Sequence, residues 1–559
     1  MLILDGQSLK IEDVARISQR REMDVRISPE AQRRVRRSRD LVEQWVERGE
    51  TIYGVTTGFG EFANVSIPKE DLRTLQQNLL RSHSAGTGEP LSAEVVRAML
   101  LLRANALAKG CSGIRLIAIE QLLKLLAADA LPYIPSRGSV GSSGDLAPLA
   151  HLALAMTGEG FISLPESEAR GITNYELRIT KDHDNNELRS SKDSPIRNSQ
   201  FVIRNSSDRP TLPAHEALDR VGIASLRLEA KEGLALINGT QMMTAIGCLA
   251  LHRAKQLADL ADIAASMSFE ALRATDTAFD SRLHAARPHK GQQFVAEKIL
   301  KLVEGSEIRK SHLENDPRVQ DAYSLRCIPQ VHGAIRDTIE FAERILTTEI
   351  NSATDNPLII PDEGSPDDHV TGIHLEGGNF HGEPVAFVLD YLAIALSELA
   401  NISERRVERL VNGSLSYGLP RFLTQHGGLN SGLMIAQYTA AALVSENKIL
   451  AHPASVDSIP TSANQEDHNS MGSIAALKLR TVVENVHRVL AIELLCAAQG
   501  MDFLKPLAPG HGSGKARDLI RESVPFLEKD RNISQDIARM IELTEDGQFI
   551  AEVHKVVES

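Results

Sequence analysis

The stretch GSVGSSGDLAPLAHLAL, residues 138–154, gathers Gly138, Gly141, Ser142, Ser143 and Gly144 directly ahead of an apolar run. Gly-Ser stretches usually serve as flexible linkers. This one is framed by LPYIP and LAPLAHLALA, which read as chain entering and leaving a packed core, so a loop of small residues there needs a reason. Ser143 with Asp145 and His151 suggests a hydrolase, yet the G-x-S-x-G elbow is absent, because Asp145 stands two residues after Ser143. GHGSGKAR at 510–517 approaches a phosphate loop but carries Pro509 and Ala516 where that motif needs Gly and Ser or Thr, and reads as a solvated turn. His374, Glu376, His381 and Glu383 follow no recognised zinc spacing, and no metal is expected.

Five other polar or Gly-rich places interrupt the apolar pattern: YGVTTGFG (53–60), RSHSAGTGEP (81–90), LINGTQ (236–241), VQDAYSLRCIPQVHG (319–333) with HLEGGNFHGEP (374–384), and TSANQEDHNSMG (461–472). Loops held by a rigid scaffold are where function concentrates. Between them, PLSAEVVRAMLLLRANALAKG, IRLIAIEQLLKLLAADA, GCLALHRAKQLADLADIAASMSFEALRA, VAFVLDYLAIALSELANISERRVERLV and SMGSIAALKLRTVVENVHRVLAIELLCAAQG place apolar residues three and four apart, which predicts helices. Several are apolar on more than one face, as suits a large bundle or a subunit interface. Strand signals are weak and fall at MLILDG, at ISLP and within a polar, charged excursion over 165–213, read as a surface insert.

The 559 residues allow a large core, with 42% hydrophobic and 24% charged residues, close to a soluble globular average. A net charge of −13 argues against binding the phosphate backbone of nucleic acid. No stretch reaches the roughly 18 uninterrupted apolar residues of a membrane span, and the three apolar residues after Met1 are too few for a signal peptide. A cytoplasmic location is expected. Cys111, Cys248, Cys327 and Cys496 form no C-x-x-C pair and suit reduced thiols.

Taken together, the loops resemble those of the aromatic amino acid ammonia-lyases and aminomutases, over nearly the whole chain outside the 165–213 excursion. Members of that family make an electrophile, 4-methylideneimidazol-5-one, from a loop of the form GSVGASGDLAPLAH; here it reads GSVGSSGDLAPLAH. The resemblance implies a mainly α fold, a large elongated helical bundle with a smaller mixed N-terminal region. That region, 1–230, would carry the loop, and 231–559 the long helices and C-terminal helices. It also implies that Gly144 N closes on the Ser142 carbonyl carbon, an approach that glycine permits, while the Ser143 hydroxyl is eliminated. Ser142 stands where alanine is usual; only its backbone enters the ring, so closure survives. No external cofactor is expected.

Such an electrophile makes the α-amine a better leaving group, which is covalent catalysis with a self-made cofactor. By the resemblance, Tyr53 is the base for the β-proton and needs neighbours that favour phenolate; Tyr323 supports the electrophile and amine. Arg326 clamps the substrate carboxylate, Asn238 and Gln330 add hydrogen bonds, and Phe380 packs beside the ring. The pair Ser82-His83 and the run NQEDH at 464–468 match the histidine-acting branch, with His83 and Glu466 serving the two imidazole nitrogens and Glu466 a second candidate for proton transfer. The expected reaction is non-oxidative deamination of L-histidine to trans-urocanate and ammonia, a step of histidine catabolism, in a homotetramer whose sites combine three subunits. The alternatives are an aminomutase or a lyase for another aromatic amino acid using the same electrophile, and a catalytically silent helical scaffold.

Overall fold

The five apolar segments fold as helices: Ala93–Ala108, Leu116–Ala127, Gln241–Ala271, Glu383–Val411 and Gly472–Asp502. They belong to a computed structural model that describes residues 1–21, 23–165, 209–314, 316 and 318–558. Among the described residues there are twenty α-helices and nine strands of two to four residues, so the mainly α expectation holds. Most of the 165–213 excursion lies outside the described residues; at its end Thr211–Pro213 pairs antiparallel with Phe161–Ser163.

The chain forms two compact units. The first comprises Met1–Ala245, Ile350–His381 and Pro460–His468. Its centre is Ala93–Ala108, buried on every face from Val95 onward, which is why its sequence lacks a polar stripe. Small sheets tie its loops: Thr87–Pro90 pairs with Pro135–Arg137 just ahead of the Gly-Ser loop, and Leu358–Pro361 pairs with Gly372–Leu375, in register from Leu358 opposite Leu375 to Pro361 opposite Gly372.

The second unit comprises Ile246–Glu349, Gly382–Ile459 and Asn469–Ser559. Glu383–Val411 packs along Gly472–Asp502 there. By length and composition alone Glu383–Val411 could cross a membrane, but 67% of its most apolar window is buried inside the protein, as in a core helix. A buried pair joins these two helices: Arg406 Nε donates to Glu493 at 2.5 Å, and Ser268 and Ser403 donate to the same carboxylate. GHGSGKAR is not a solvated turn. It opens the helix His511–Ser523, with Gly512, Ser513 and Gly514 buried, and the Gly510 N–H donates to the buried Glu270 carboxylate at 3.0 Å. A carboxylate at a helix N-terminus satisfies free amides and the dipole, a role the local sequence could not reveal because Glu270 is distant in the chain.

Candidate active site

The Gly-Ser loop feeds directly into the helix Leu146–Met156. Asp145, fully buried at that junction, accepts hydrogen bonds from Met243 N (2.9 Å) and Ser139 Oγ (3.3 Å). Across from it, LINGTQ leaves the helix Glu232–Ile237 and lies alongside the tripeptide. Gly239 brackets Gly144: its N–H donates to Ser143 O (3.3 Å) and its carbonyl accepts from Asp145 N (2.7 Å). Gly144 has φ +76°, and a Cβ there would run into the Gly239 carbonyl oxygen. Both the left-handed backbone and the close approach demand glycine. Among the described residues no hydrogen bond engages the Gly144 N–H, and a buried amide is rarely left so.

Ser142 and Gly144 are buried, whereas Ser143 faces a cavity of about 790 Å³ within the first unit. Tyr53, His83, Asn238, Phe380 and Glu466 line the same cavity. Each arrives from a different element. Tyr53 sits in the turn after Ile52, His83 ends the helix Leu72–His83, Asn238 follows Glu232–Ile237, and Glu466 closes a small loop bridged to Thr461. The Ser143 hydroxyl donates to Glu466 Oε1 at a long 3.4 Å, while Thr461 Oγ1 donates to Oε2 at 2.9 Å. Asn238 Nδ2 donates to Ser143 O at 3.3 Å, and its buried Oδ1 has no partner among the described residues.

Burial pushes the Tyr53 phenol above its ordinary pKa, and the nearby Glu466 and Glu376 carboxylates push the same way; the Gly60 N–H, which donates to Tyr53 Oη at 3.4 Å, opposes them. Within one chain the neighbours therefore oppose phenolate, contrary to what the base role expected from sequence requires. Burial lowers the His83 pKa, with the Leu79 carbonyl and Glu466 pulling the other way, which keeps the ring neutral near pH 7. The His83 Nδ1 is 3.0 Å from Ser82 Oγ. Among the described residues, Glu61, Glu376 and Glu466 line the cavity and no lysine or arginine does.

Tyr323, Arg326 and Gln330 lie in the second unit and are not among the residues lining this cavity. Tyr323 is 71% exposed, and the Arg326 guanidinium stacks 4.4 Å from its ring centre. Arg326 Nε and Gln330 Oε1 are buried without partners among the described residues. His151, dismissed as a triad member, accepts from Gly86 N at 3.1 Å.

A model of the aromatic amino acid lyases matches residues 9–522. The chain belongs to the aromatic amino acid lyase family. It is 50% identical over 548 residues to the histidine ammonia-lyase of Caldanaerobacter subterraneus subsp. tengcongensis, covering 98% of this chain and 97% of that protein. The crystal structure of histidine ammonia-lyase from Trypanosoma cruzi is 44% identical with a TM-score of 0.84, covering 99% of this chain and 95% of that one. Tyrosine aminomutase from Streptomyces globisporus is 36% identical with a TM-score of 0.85, covering 99% and 98%. The chain is thus similar both to a lyase and to an aminomutase.

The electrophile that the loop's resemblance implies fits the residues present. Gly144 lacks the Cβ that the Gly239 carbonyl excludes, and among the described residues its N–H is unengaged and Asn238 Oδ1 is an unpaired buried acceptor beside the tripeptide. Sequence reasoning missed Glu376 and Phe59 as cavity residues. Glu376 carried a signal, since its loop was already singled out as polar; Phe59 carried none beyond its place in YGVTTGFG.

Proposed function

We propose that this chain is a carbon-nitrogen lyase that deaminates L-histidine to trans-urocanate and ammonia, using 4-methylideneimidazol-5-one formed from Ser142, Ser143 and Gly144. The observation that carries the reading is that Ser143 shares one cavity with His83 and Glu466. The source of the electrophile thus lies beside two polar groups suited to an imidazole. When formed, the ring supplies an electrophile that makes the α-amine a better leaving group.

The chain's own residues do the rest. Neutral His83 and the Glu466 carboxylate hydrogen-bond the two imidazole nitrogens. Loss of the Ser143 hydroxyl removes a partner from Glu466 Oε1 and frees it for the substrate. Asn238 holds the tripeptide carbonyl, and Phe380 closes the wall beside it. Tyr53 takes the β-proton in the occupied site, where the substrate's ammonium offsets the carboxylates that disfavour phenolate; Glu466 is the second proton acceptor in the cavity.

Among the described residues the cavity is lined by three carboxylates and no cationic side chain, so none of them is suited to hold the substrate carboxylate. Arg326 supplies that clamp, with Gln330 adding a hydrogen bond and Tyr323 supporting the electrophile and amine, in a cytoplasmic homotetramer whose sites combine three subunits. Support for assembly comes from Phe387, Tyr391 and Ile394, exposed four and three residues apart on Glu383–Val411, and from exposed Ile435 and Tyr438 on Met434–Leu450. Exposed apolar surface of this kind marks an interaction face. Incubation of the purified protein with L-histidine tests the function: trans-urocanate and ammonia are expected, whereas a β-amino acid or unchanged substrate would overturn it.

A further inference from the structure

We propose that Arg103 is a positioning residue for closure of the Ser142-Ser143-Gly144 ring, holding the Asn238–Gly239 turn against the tripeptide. The inference rests on the reading above that this tripeptide cyclises. Losing Arg103 then slows ring closure more than it slows turnover by each chain whose ring has closed.

Arg103 lies in the all-round buried helix Ala93–Ala108 and is 1% exposed. Among the described residues no carboxylate hydrogen-bonds it; the buried Asp355 carboxylate is paired instead with Lys231 Nζ at 2.7 Å. Burial lowers the guanidinium pKa to about 10, which leaves it charged near neutrality. A buried cation without a hydrogen-bonded counter-ion is costly, so what it touches matters. Its Nη2 donates to Ala235 O (2.5 Å), and its Nη1 donates to Asn238 O (2.9 Å) and Gln241 Oε1 (2.5 Å). Two of these acceptors are carbonyls at the negative end of the helix Glu232–Ile237. Gln241 is held in turn by its Nε2 donating to Thr354 Oγ1 at 2.9 Å.

These acceptors span residues 235–241, on both sides of Gly239. A Cβ on Gly239 would lie 2.6 Å from Arg103 Nη1, so the guanidinium backs the turn directly. On its other side Gly239 binds the neighbours of Gly144, Ser143 O and Asp145 N, and the Gly144 N–H has no partner among the described residues. That nitrogen is the atom that must act. It bonds to the Ser142 carbonyl carbon, whose oxygen leaves as water with the hydrogens of Gly144 N and Ser143 N. The Ser143 hydroxyl then leaves as a second water with the Ser143 Cα hydrogen. Two waters are lost and no oxidant is needed. Arg103 touches none of these atoms; it acts through Gly239.

The test follows intact mass over time during cell-free synthesis of the wild type, Arg103→Lys and Gln241→Met. Arg103→Lys keeps the charge, but a single ammonium cannot reproduce the planar fork. Gln241→Met removes one acceptor and leaves the charge untouched, so it remains informative if the Arg103 variant fails to fold. Loss of two waters is expected to slow by about tenfold in each variant, while turnover per closed chain changes by about threefold or less. Wild-type closure rates in both variants, or a turnover loss per closed chain as large as the closure loss, would overturn the proposal alone. A wild type of unmodified mass would overturn the cyclisation reading and this proposal together.

Discussion

The double substitution His83→Leu with Glu466→Gln should collapse the preference for L-histidine over L-phenylalanine, and the structure sets the scale. L-Phenylalanine offers no ring nitrogen. In the wild type it leaves the His83 ring and Glu466 Oε1 facing an apolar ring with their water displaced. Leaving a buried polar group unpaired costs about 1–3 kcal/mol, and more for a charged one. Glu466 is only half-buried and keeps Thr461 as partner through Oε2, so only part of a full carboxylate penalty applies. The two groups together then contribute about 4–6 kcal/mol, a discrimination of about 10³–10⁴, in the range seen where sites reject analogues lacking a hydrogen-bonding group. The double variant removes the charge and the imidazole, so kcat/KM for histidine falls by about 10²–10³ while that for phenylalanine holds or rises. Both conjugated products absorb in the ultraviolet, so initial rates give the two kcat/KM values directly. A wild type that favours phenylalanine, or a ratio unmoved by both substitutions, would refute the reasoning.

Tyr53→Phe should lower kcat by about 10² or more with little change in KM, because a proton acceptor acts in the transition state; an unchanged kcat would move the base role to Glu466. Ser142→Ala, which places the usual family residue in the ring, should keep activity within about tenfold, about 1.4 kcal/mol in barrier; complete inactivation would show that the Ser142 side chain takes part. Denaturant titrations across pH should reveal His487. Burial, with the Arg253 and Arg488 charges, lowers its pKa from 6.5 to about 3 in the folded protein. The unfolded chain therefore binds the extra proton between these values. Stability contributed above pH 6.5 is lost as pH falls toward 3, at about 1.4 kcal/mol per pH unit from this group, and His487→Gln should flatten that slope.

The helices were legible because their apolar spacing is dense enough to survive without tertiary information, and the site loops because their residue types stand together in short runs. What the sequence hid depends on pairs far apart in the chain. Gly144 reads as a permissive residue, but its necessity comes from Gly239, 95 positions later. Arg103 looks like a charge to be placed at the edge of an apolar helix, whereas it is wholly buried and spends its donors on a distant turn. Glu270 is invisible as the partner of GHGSGKAR for the same reason. The resemblance supplied residue roles but not surroundings: a phenol called a base is set in this chain among two carboxylates that hold its proton on. Tyr323, Arg326 and Gln330 were placed with the site by motif alone, and the cavity of the single chain does not include them.

The central claim is that Ser143 is consumed to make the electrophile, and the mass of the peptide spanning the tripeptide in active protein tests it most directly. The wild-type peptide should have a mass two waters below that of the encoded sequence. Ser143→Ala should show the loss of only one water or none, together with loss of almost all turnover and an unaltered helical fold. An unmodified peptide mass in wild-type protein that converts L-histidine to trans-urocanate, or full activity in Ser143→Ala, would contradict it.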